Sequence, residues 1–311
     1  MTEKLAHIIH IFDKSTDSVP YKMHDNVAKF SQRSSIKFYK EAISYSDIFN
    51  YYFQLFKLKK DEESTKKFLS LKNWREKILN LRNYKILDNY KGQILDFDWV
   101  TSYDVIAEQL GLLEKNSLFQ IAAIGITKTS DNFVLLGIRS VMDPINAKPL
   151  VEIFGHGLIG FPPGGNVSFK KTYVSNPIKD TLINEMQGEV GFFRISSYKP
   201  IGIFYANKPG PSGYKFLSLI EIDASLSEVI SINAKTNNYY TKLLENGNSI
   251  NKSREILKTK NYPKDAWEHN PMFGIYNDTK VLKNLLKISP HLFSGIGYGS
   301  LTTYLEWLER E

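Results

Sequence analysis

Alternating apolar and polar stretches in the middle of the chain predict paired β-strands. The apolar runs 118–127 (LFQIAAIGIT) and 132–139 (NFVLLGIR) flank the polar cluster 128–131. Two such runs on either side of a polar turn are typical of a buried hairpin. Further runs at 151–161, 200–207 (PIGIFYAN) and 214–223 (YKFLSLIEID) predict three more strands.

A helix is predicted between these strands, over residues 177–190. Pro177 suits the first helical position, where its missing N–H is not needed, and Asn176 or Ser175 suits the N-cap. The apolar residues of this segment recur every four positions and should face the core: Ile178, Leu182, Met186 and Val190.

The first hundred residues predict a region of their own. Residues 5–12 (LAHIIHIF) predict a strand. Residues 45–81 have a helical pattern, with aromatic and aliphatic residues at three- and four-residue spacing, among them Phe49, Tyr52, Phe53, Phe56, Phe68, Leu69, Leu71, Trp74, Ile78 and Leu81. We interpret these aromatic residues as core. Strands before and after a central helix, followed by more helix, predict the α+β class (mixed α/β), with an N-terminal α+β accessory region at 1–115 and a second domain at 116–311.

Composition limits the classes of protein that remain. With 311 residues, 42% of them hydrophobic, the chain suits two globular domains, and no apolar segment approaches the roughly 20 residues of a membrane span. The absence of cysteine excludes disulfides and, with no signal-peptide pattern at the N-terminus, predicts a cytoplasmic protein. The net charge of +7 is spread along the chain, which makes nucleic acid an unlikely partner but suits a phosphorylated ligand. Oligomeric state is left open.

Glu185 and Glu189 carry the candidate chemistry. Residues four apart share a helix face, so Glu185 and Glu189 should share an accessible face with Thr181 and Gly188. The irregular glycine backbone of Gly164 and Gly165 precedes this helix. Two carboxylates beside backbone carbonyls suit a hard divalent cation. A turn followed by an ordinary amphipathic helix would explain the same residues.

The segment from Gly160 to Phe192 resembles the Nudix box, G-x5-E-x7-R-E-U-x-E-E-x-G-U, in which U is a bulky aliphatic residue. The residues 184–192 (NEMQGEVGF) stand where R-E-U-x-E-E-x-G-U is expected. Glu185 and Glu189 match the first and last helix glutamates. Asn184 replaces the arginine, Gly188 replaces one metal-binding glutamate, and the early box glutamate has no counterpart.

The resemblance implies a Nudix-like α/β/α sandwich that hydrolyses the diphosphate of a nucleoside diphosphate linked to another moiety, with Mg²⁺ or Mn²⁺ as cofactor. It implies Glu185, Glu189 and the carbonyl of Gly164 as metal ligands, and Glu221 as a third ligand or catalytic base. Arg139 and Gly165 are implied as substrate contacts.

A weaker resemblance chooses among substrates. The segment 101–104 (TSYD) is similar to one in Nudix enzymes that split UDP-glucose, which favours a nucleotide sugar. Glycine inside a helix is unfavourable, so Gly188 marks either a close approach by a neighbour or a lost metal ligand. The alternatives are therefore a non-catalytic Nudix-fold module that binds a nucleotide or a protein, or an unrelated α/β protein.

Overall fold

The computed structural model describes residues 5–27, 45–59, 61–70, 72, 77–82, 84–87, 90–113, 118–149, 151–167, 176–207, 209 and 213–310. The protein belongs to the α+β class, as its sequence predicts. Within the residues described, no helix is long and apolar enough to cross a membrane.

The secondary structure is given in chain order. The strands are β1 (Ala6–Ile11), β2 (Tyr21–Val27), β3 (Lys77–Leu81), β4 (Leu95–Thr101), β5 (Ile121–Lys128), β6 (Phe133–Arg139), β7 (Ile159–Gly160), β8 (Gly164–Asn166), β9 (Ile195–Ala206), β10 (Gly213–Ile222) and β11 (His269–Tyr276). The helices are α1 (Tyr45–Leu58), α2 (Glu62–Ser70), α3 (Ser102–Gln109), α4 (Val151–Phe154), α5 (Pro177–Glu185), α6 (Leu226–Glu245), α7 (Ile250–Thr259), α8 (Thr279–Ile288) and α9 (Gly295–Glu309). Short 3-10 turns cover Tyr84–Ile86, Ala266–Glu268 and Pro290–Leu292, and α5 continues into a π-helical turn at Met186–Val190.

The chain divides into two compact units. The first contains Met1–Ser18, Ala122–Gly165 and Val174–Glu311, and the second contains Val19–Ile121 and Asn166–Tyr173. Strand β1 is part of the first unit, because it pairs antiparallel with β9. The predicted division into domains at residues 1–115 and 116–311 stays a prediction.

The first unit is built on one sheet with the strand order β1-β9-β10-β5-β6-β11, while β7 pairs with β6 and β8 pairs with β5. The pairs β5–β6 and β9–β10 are antiparallel, which confirms the strands predicted from the apolar runs. The strand predicted over 151–161 is wrong except at Ile159–Gly160. Its first residues form α4, and Gly155 and Gly157 then take positive φ angles of 71° and 81°, which interrupt an extended strand.

Helices cover both faces of this sheet. One face packs against α8 and α9 through a buried cluster that includes Ile126, Leu136, Phe204, Leu217 and Tyr304. Phe273 and Ile275 of β11 join that cluster. Gly274 lies between them and therefore faces the other way, where a Cβ atom would lie 2.5 Å from Leu226 of α6. Helix α6 thus covers the opposite face.

The second unit contains a smaller sheet in which β4 lies between β2 and β3. The predicted aromatic core is confirmed on α1 and α2, where Phe49, Tyr52, Phe56 and Phe68 are buried in one cluster. The helical pattern predicted as far as Leu81 is wrong over residues 77–81. Residues 77–81 form β3, because Ile78 and its neighbours pair antiparallel with β4. Leu71 and Trp74 lie outside the described residues.

Lys215 on β10 gives a first testable prediction, about stability. It is 2% exposed, and burial lowers its pKa from 10.5 to about 8. The unfolded chain therefore holds this proton up to about pH 10.5, whereas the folded chain releases it near pH 8. Between those two pH values the unfolded state binds more protons than the folded state, so the free energy of unfolding rises with pH. Replacing Lys215 by methionine is expected to raise the free energy of unfolding at pH 7 by up to about 3 kcal/mol.

Urea unfolding at pH 7 and pH 9.5 measures this effect. In the variant the rise between the two pH values should be smaller than in the wild type. The test stays below pH 10, because burial raises the pKa of Tyr198, Tyr240 and Tyr304 to about 12. The exposed Lys280, replaced by methionine, is the matched control. Equal stability changes in both variants would contradict the prediction.

Candidate functional site

The helix that carries the candidate carboxylates begins as its sequence predicts. Asn176 is the N-cap, and its side-chain oxygen accepts hydrogen bonds from the backbone N–H groups of Ile178 and Lys179, both at 3.1 Å. Pro177 occupies the first turn, where its missing N–H leaves no bond unmade. The predicted core face is confirmed, since the residues at four-residue spacing are all buried: Ile178, Leu182, Met186 and Val190.

Glu185 and Glu189 both reach the short strand β8. The backbone N–H of Gly164 donates a hydrogen bond to Oε2 of Glu189 at 3.3 Å. A Cβ atom on Gly165 would lie 2.8 Å from Oε1 of Glu185, so only glycine permits this approach of the Glu185 carboxylate. The two carboxylates thus converge on the Gly164–Gly165 backbone, as the i, i+4 spacing predicts.

Exposure of these glutamates differs from the expectation. We expected an accessible helix face shared with Thr181 and Gly188. Glu185 is half-buried, but Glu189 is 1% exposed, Thr181 is 3% exposed and Gly188 is buried. The physical reason is that β8 and the residues around Asp265 pack against this face. The backbone N–H of Gly164 donates to Glu189, and the Gly164 carbonyl as a metal ligand stays a prediction.

Arg139 lies among carboxylates at the end of β6. Its Nη1 is 2.5 Å from Oε2 of Glu268. Burial acts to lower the pKa of Arg139, but the negative charges of Glu268, Glu189 and Glu185 outweigh burial and raise it. We predicted Arg139 as a substrate contact. In the structure the guanidinium is engaged by Glu268, and it provides positive charge to both helix glutamates.

His269, the first residue of β11, also lies in this cluster. In the β6–β11 register it stands opposite Arg139, and its Nε2 lies 3.8 Å from Oε2 of Glu189. A Cβ atom on Gly137 would lie 2.6 Å from that of His269, so this close approach requires glycine. Burial, followed by the charge of Arg139, lowers the pKa of His269 to about 3. The imidazole is therefore neutral at physiological pH and forms no ion pair with Glu189.

Glu189 is the most perturbed group of the cluster. Burial raises its pKa well above 4.5, and the charges of Glu268 and Glu185 raise it further, while Arg139 opposes them. Its Oε1 is buried and has no hydrogen-bond partner in the described structure. These surroundings favour the protonated form of the carboxyl group, and a further positive charge nearby would favour the ionised form.

Gly188 is approached closely by another part of the chain. It lies in the π-helical turn, and its carbonyl accepts a hydrogen bond from the backbone N–H of Asp265 at 2.7 Å. A Cβ atom on Gly188 would lie 3.3 Å from Oδ2 of Asp265. Asp265 itself is paired with Arg254, at 2.5 Å, and with Lys264. Of the two explanations for Gly188 offered by the sequence, the structure shows the close approach.

Glu221 does not join this cluster. The preceding residue of β10, Ile220, lies against Gly125 on the side of the sheet that also carries Pro163. Successive strand residues point to opposite faces, so Glu221 points towards α9, where its charge acts on Tyr304. Its carboxylate is 2.5 Å from Nζ of Lys128. Strand alternation thus gives no support for Glu221 as a third metal ligand or base.

The structure adds Glu268, His269 and Asp265 to the predicted site. The sequence predicts that the polar stretch 267–271 (WEHNP), with His269 in it, is a loop that could close over a substrate. The sequence does not connect Asp265, Glu268 or His269 with the helix, because they lie about 80 residues after it and match no spacing pattern.

The segment 101–104, which suggested a nucleotide sugar, forms a helix cap. The side chain of Thr101 accepts a hydrogen bond from the backbone N–H of Asp104, and Asp104 in turn binds the backbone N–H of Thr101 at 2.7 Å. Tyr52 also donates to Asp104 at 2.5 Å. All these residues are buried, which accounts for the segment by its local structure.

The donor set fits a divalent cation in part. Two carboxylates converge, and one oxygen of Glu189 is buried with no hydrogen-bond partner in the part of the chain that the structure describes. Within the described ranges, however, no group of three or more His, Cys, Asp or Glu residues is placed to hold a metal ion. Asn184, at the position of the box arginine, is exposed, and its side chain donates to the backbone carbonyl of Asp180 at 2.7 Å.

Comparisons with known proteins do not assign a family to this chain. No protein-family model and no curated protein matches the chain. Among solved structures, a mutant form of the Bacillus subtilis pyrophosphohydrolase BsRppH is similar to it. The likeness covers 60% of this chain and 80% of that one, at 14% sequence identity and a TM-score of 0.30. A TM-score at this level supports no assignment of family or activity.

Proposed function

We propose that the protein is a divalent-metal-dependent hydrolase that cleaves the diphosphate of a nucleoside diphosphate linked to another moiety. The observation that carries this proposal is the convergence of Glu185 and Glu189 on the Gly164–Gly165 backbone. Among the described residues, one oxygen of Glu189 has no hydrogen-bond partner there.

The balance of charge around the site supports cation binding. Glu185, Glu189 and Glu268 share the single guanidinium of Arg139, and the charge of Asp265 also acts on Glu189. Burial first, and then this negative charge, raise the pKa of Glu189. A cation beside Glu185 and Glu189 would relieve the repulsion and favour the ionised form of both.

The residues around such a site would have separate roles in binding the ion and the substrate. When bound, Mg²⁺ or Mn²⁺ supplies positive charge that neutralises diphosphate oxygens and activates water for attack. Glu185 is half-buried and reaches solvent, so it is the carboxylate that an entering ion meets first. Arg139 is 30% exposed and fixed by Glu268, which leaves one part of the guanidinium free to orient a phosphate group. We keep a nucleotide sugar as the first substrate class to test, on the strength of the sequence resemblance alone.

A non-catalytic module that binds a nucleotide or a protein is the second candidate. It is favoured by the position of Arg139, whose permanent positive charge already acts on Glu185 and Glu189. It is also favoured by the burial of Glu189, which is 1% exposed. In that case the guanidinium takes over the neutralising role of a metal ion, and ligand binding proceeds without hydrolysis.

Hydrolysis assays with a Glu185→Gln variant test the proposal. Purified protein is titrated with Mg²⁺ and with Mn²⁺ against a panel of nucleoside diphosphate derivatives, and nucleotide release is measured. Glutamine keeps the shape of Glu185 and removes its charge, so turnover should fall by at least about tenfold, the scale of losing support for a metal. The circular dichroism spectrum should stay unchanged, since Glu185 is half-buried.

Glu255→Gln is the matched control, because Glu255 is exposed on α7 and lies outside the cluster. It should retain wild-type turnover. If the wild type shows no metal-dependent turnover on any compound but binds a nucleotide, and Glu185→Gln weakens that binding, the second candidate replaces the first. If it neither turns over nor binds a nucleotide, the proposed hydrolase and a nucleotide-binding module are both rejected.

A further inference from the structure

A basic cleft lies in the first unit, on residues that the carboxylate cluster does not use. Helix α6 contributes Lys235, Asn238, Tyr239 and Lys242, which stand at positions i, i+3, i+4 and i+7 and so share one helix face. The segment after α7 contributes Lys260 and Tyr262. Together they line an open cleft of about 760 Å³, a volume within the range of small-molecule sites.

Buried neighbours hold the two tyrosine rings of the cleft in place. Tyr239 and Tyr262 are half-buried and pack against a buried cluster of Tyr240, Leu257 and Trp267. Their ring centroids are 6.2 Å apart, with an angle of 58° between the ring planes. Packing that fixes both rings lowers the entropy lost when a planar ligand group docks against them.

The side chains of three lysines lie in the same cleft as these rings. Nζ of Lys260 lies 4.6 Å from the ring centroid of Tyr239, and Nζ of Lys235 lies 5.6 Å from that of Tyr262. Lys242 completes the lining. A hydrogen bond with Tyr239 raises the pKa of Lys260, so its charge is retained. In the part of the chain that the structure describes, none of the three pairs with a carboxylate.

We infer that this cleft binds the phosphates and base of a nucleotide that carries two or three phosphate groups. Three positive charges with no acidic partner match an anion of two to four negative charges. Lysine binds phosphate as a point charge, with no demand for a fixed geometry. The tyrosine rings offer a surface on which a base can stack, and base–aromatic stacking contributes about 1–3 kcal/mol per base.

This chemistry has two possible sources, a free nucleotide and a single-stranded polynucleotide. The experiment separates them by fluorescence anisotropy with labelled ADP and, in parallel, with a labelled ten-residue oligothymidylate. Both titrations contain EDTA and no divalent cation. Binding through a metal at Glu185 and Glu189 is thereby excluded, so failure of the proposed hydrolase and failure of this inference are distinguishable.

Variants of the exposed cleft residues show where the ligand binds. Lys242→Ala and Lys260→Ala should each weaken binding about threefold to fivefold, as expected for an exposed charge pair. The double variant should weaken it by about tenfold or more. Tyr239→Leu should weaken binding by at least about fivefold, through the lost stacking surface. Lys280→Ala, which removes an exposed lysine of α8 outside the cleft, should bind as the wild type does.

Each outcome decides the inference. Cleft-dependent binding of ADP supports a free nucleotide as the ligand, and cleft-dependent binding of the oligonucleotide alone supports a polynucleotide. The inference is overturned if neither probe binds, or if Lys280→Ala weakens binding as much as Lys242→Ala. Competition by inorganic triphosphate as strong as that by ADP would overturn the role of the tyrosine rings.

Discussion

Replacing Arg139 by methionine is expected to destabilise the protein by about 2–4 kcal/mol. Methionine keeps the length of the side chain but removes the positive charge that Glu268 contacts at 2.5 Å and that opposes the raised pKa of Glu189. The largely buried carboxylate of Glu268 is then left without its ion-pair partner. Breaking a buried ion pair from one side costs about 3–5 kcal/mol, and the 30% exposure of Arg139 lowers the expected value somewhat.

Urea unfolding of Arg139→Met and Arg194→Met at pH 7.5 measures this loss. Arg194 is paired with Asp223 at 3.4 Å, but its side chain is 84% exposed, so its replacement should change the free energy of unfolding by less than about 1 kcal/mol. Similar losses for both variants would show that the Arg139–Glu268 pair has no special role.

The Arg139→Met variant also distinguishes the two candidate functions. If the carboxylates can bind a cation, millimolar Mg²⁺ should restore part of the stability lost in Arg139→Met, because the ion then supplies the missing positive charge. If the guanidinium of Arg139 is a permanent substitute for a metal, added Mg²⁺ should leave the unfolding curve of the variant unchanged.

Glu189→Gln is expected to lower metal-dependent turnover by at least about tenfold. Glu189 has the oxygen that lacks a partner, and an amide cannot offset the charge of an ion. Glutamine still has an oxygen that can accept the hydrogen bond from Gly164, so the local structure should be retained. The increase in melting temperature that Mg²⁺ produces in the wild type should disappear in the variant.

The stability of this variant without metal should depend on pH in a defined direction. The unfolded chain loses the Glu189 proton near pH 4.5, whereas the folded protein holds it to a higher pH. Between these two values the unfolded state binds fewer protons, so the wild type loses stability as the pH rises. Glu189→Gln removes this loss and should therefore gain stability relative to the wild type from pH 4.5 to pH 7.

Thermal unfolding with EDTA at pH 4.5 and pH 7 tests the pH dependence, with Glu255→Gln as the control. A variant that is less stable than the wild type at pH 7 would contradict the buried, proton-holding state of Glu189. Retained turnover in Glu189→Gln would exclude Glu189 as a metal ligand, whatever its stability.

Local signals in the sequence determined the helix of the candidate site and the strands around it. Asn176, Pro177 and the four-residue apolar spacing fixed the start and the core face of this helix, because caps and periodicity depend only on neighbouring residues. The hairpin β5–β6 followed from two apolar runs and a polar turn. The spacing of Glu185 and Glu189 placed both carboxylates on one side for the same reason.

Only the tertiary structure decided what those carboxylates meet. Strand β11 pairs with β6 across about 130 residues of sequence and brings Glu268 and His269 to Arg139, a contact that no local pattern encodes. The packing of β8 and Asp265 against the helix buried Glu189, where sequence analysis expected an accessible face. Strand alternation turned Glu221 towards α9. Burial and long-range charge set the pKa of Glu189, and both arise only when distant segments pack together.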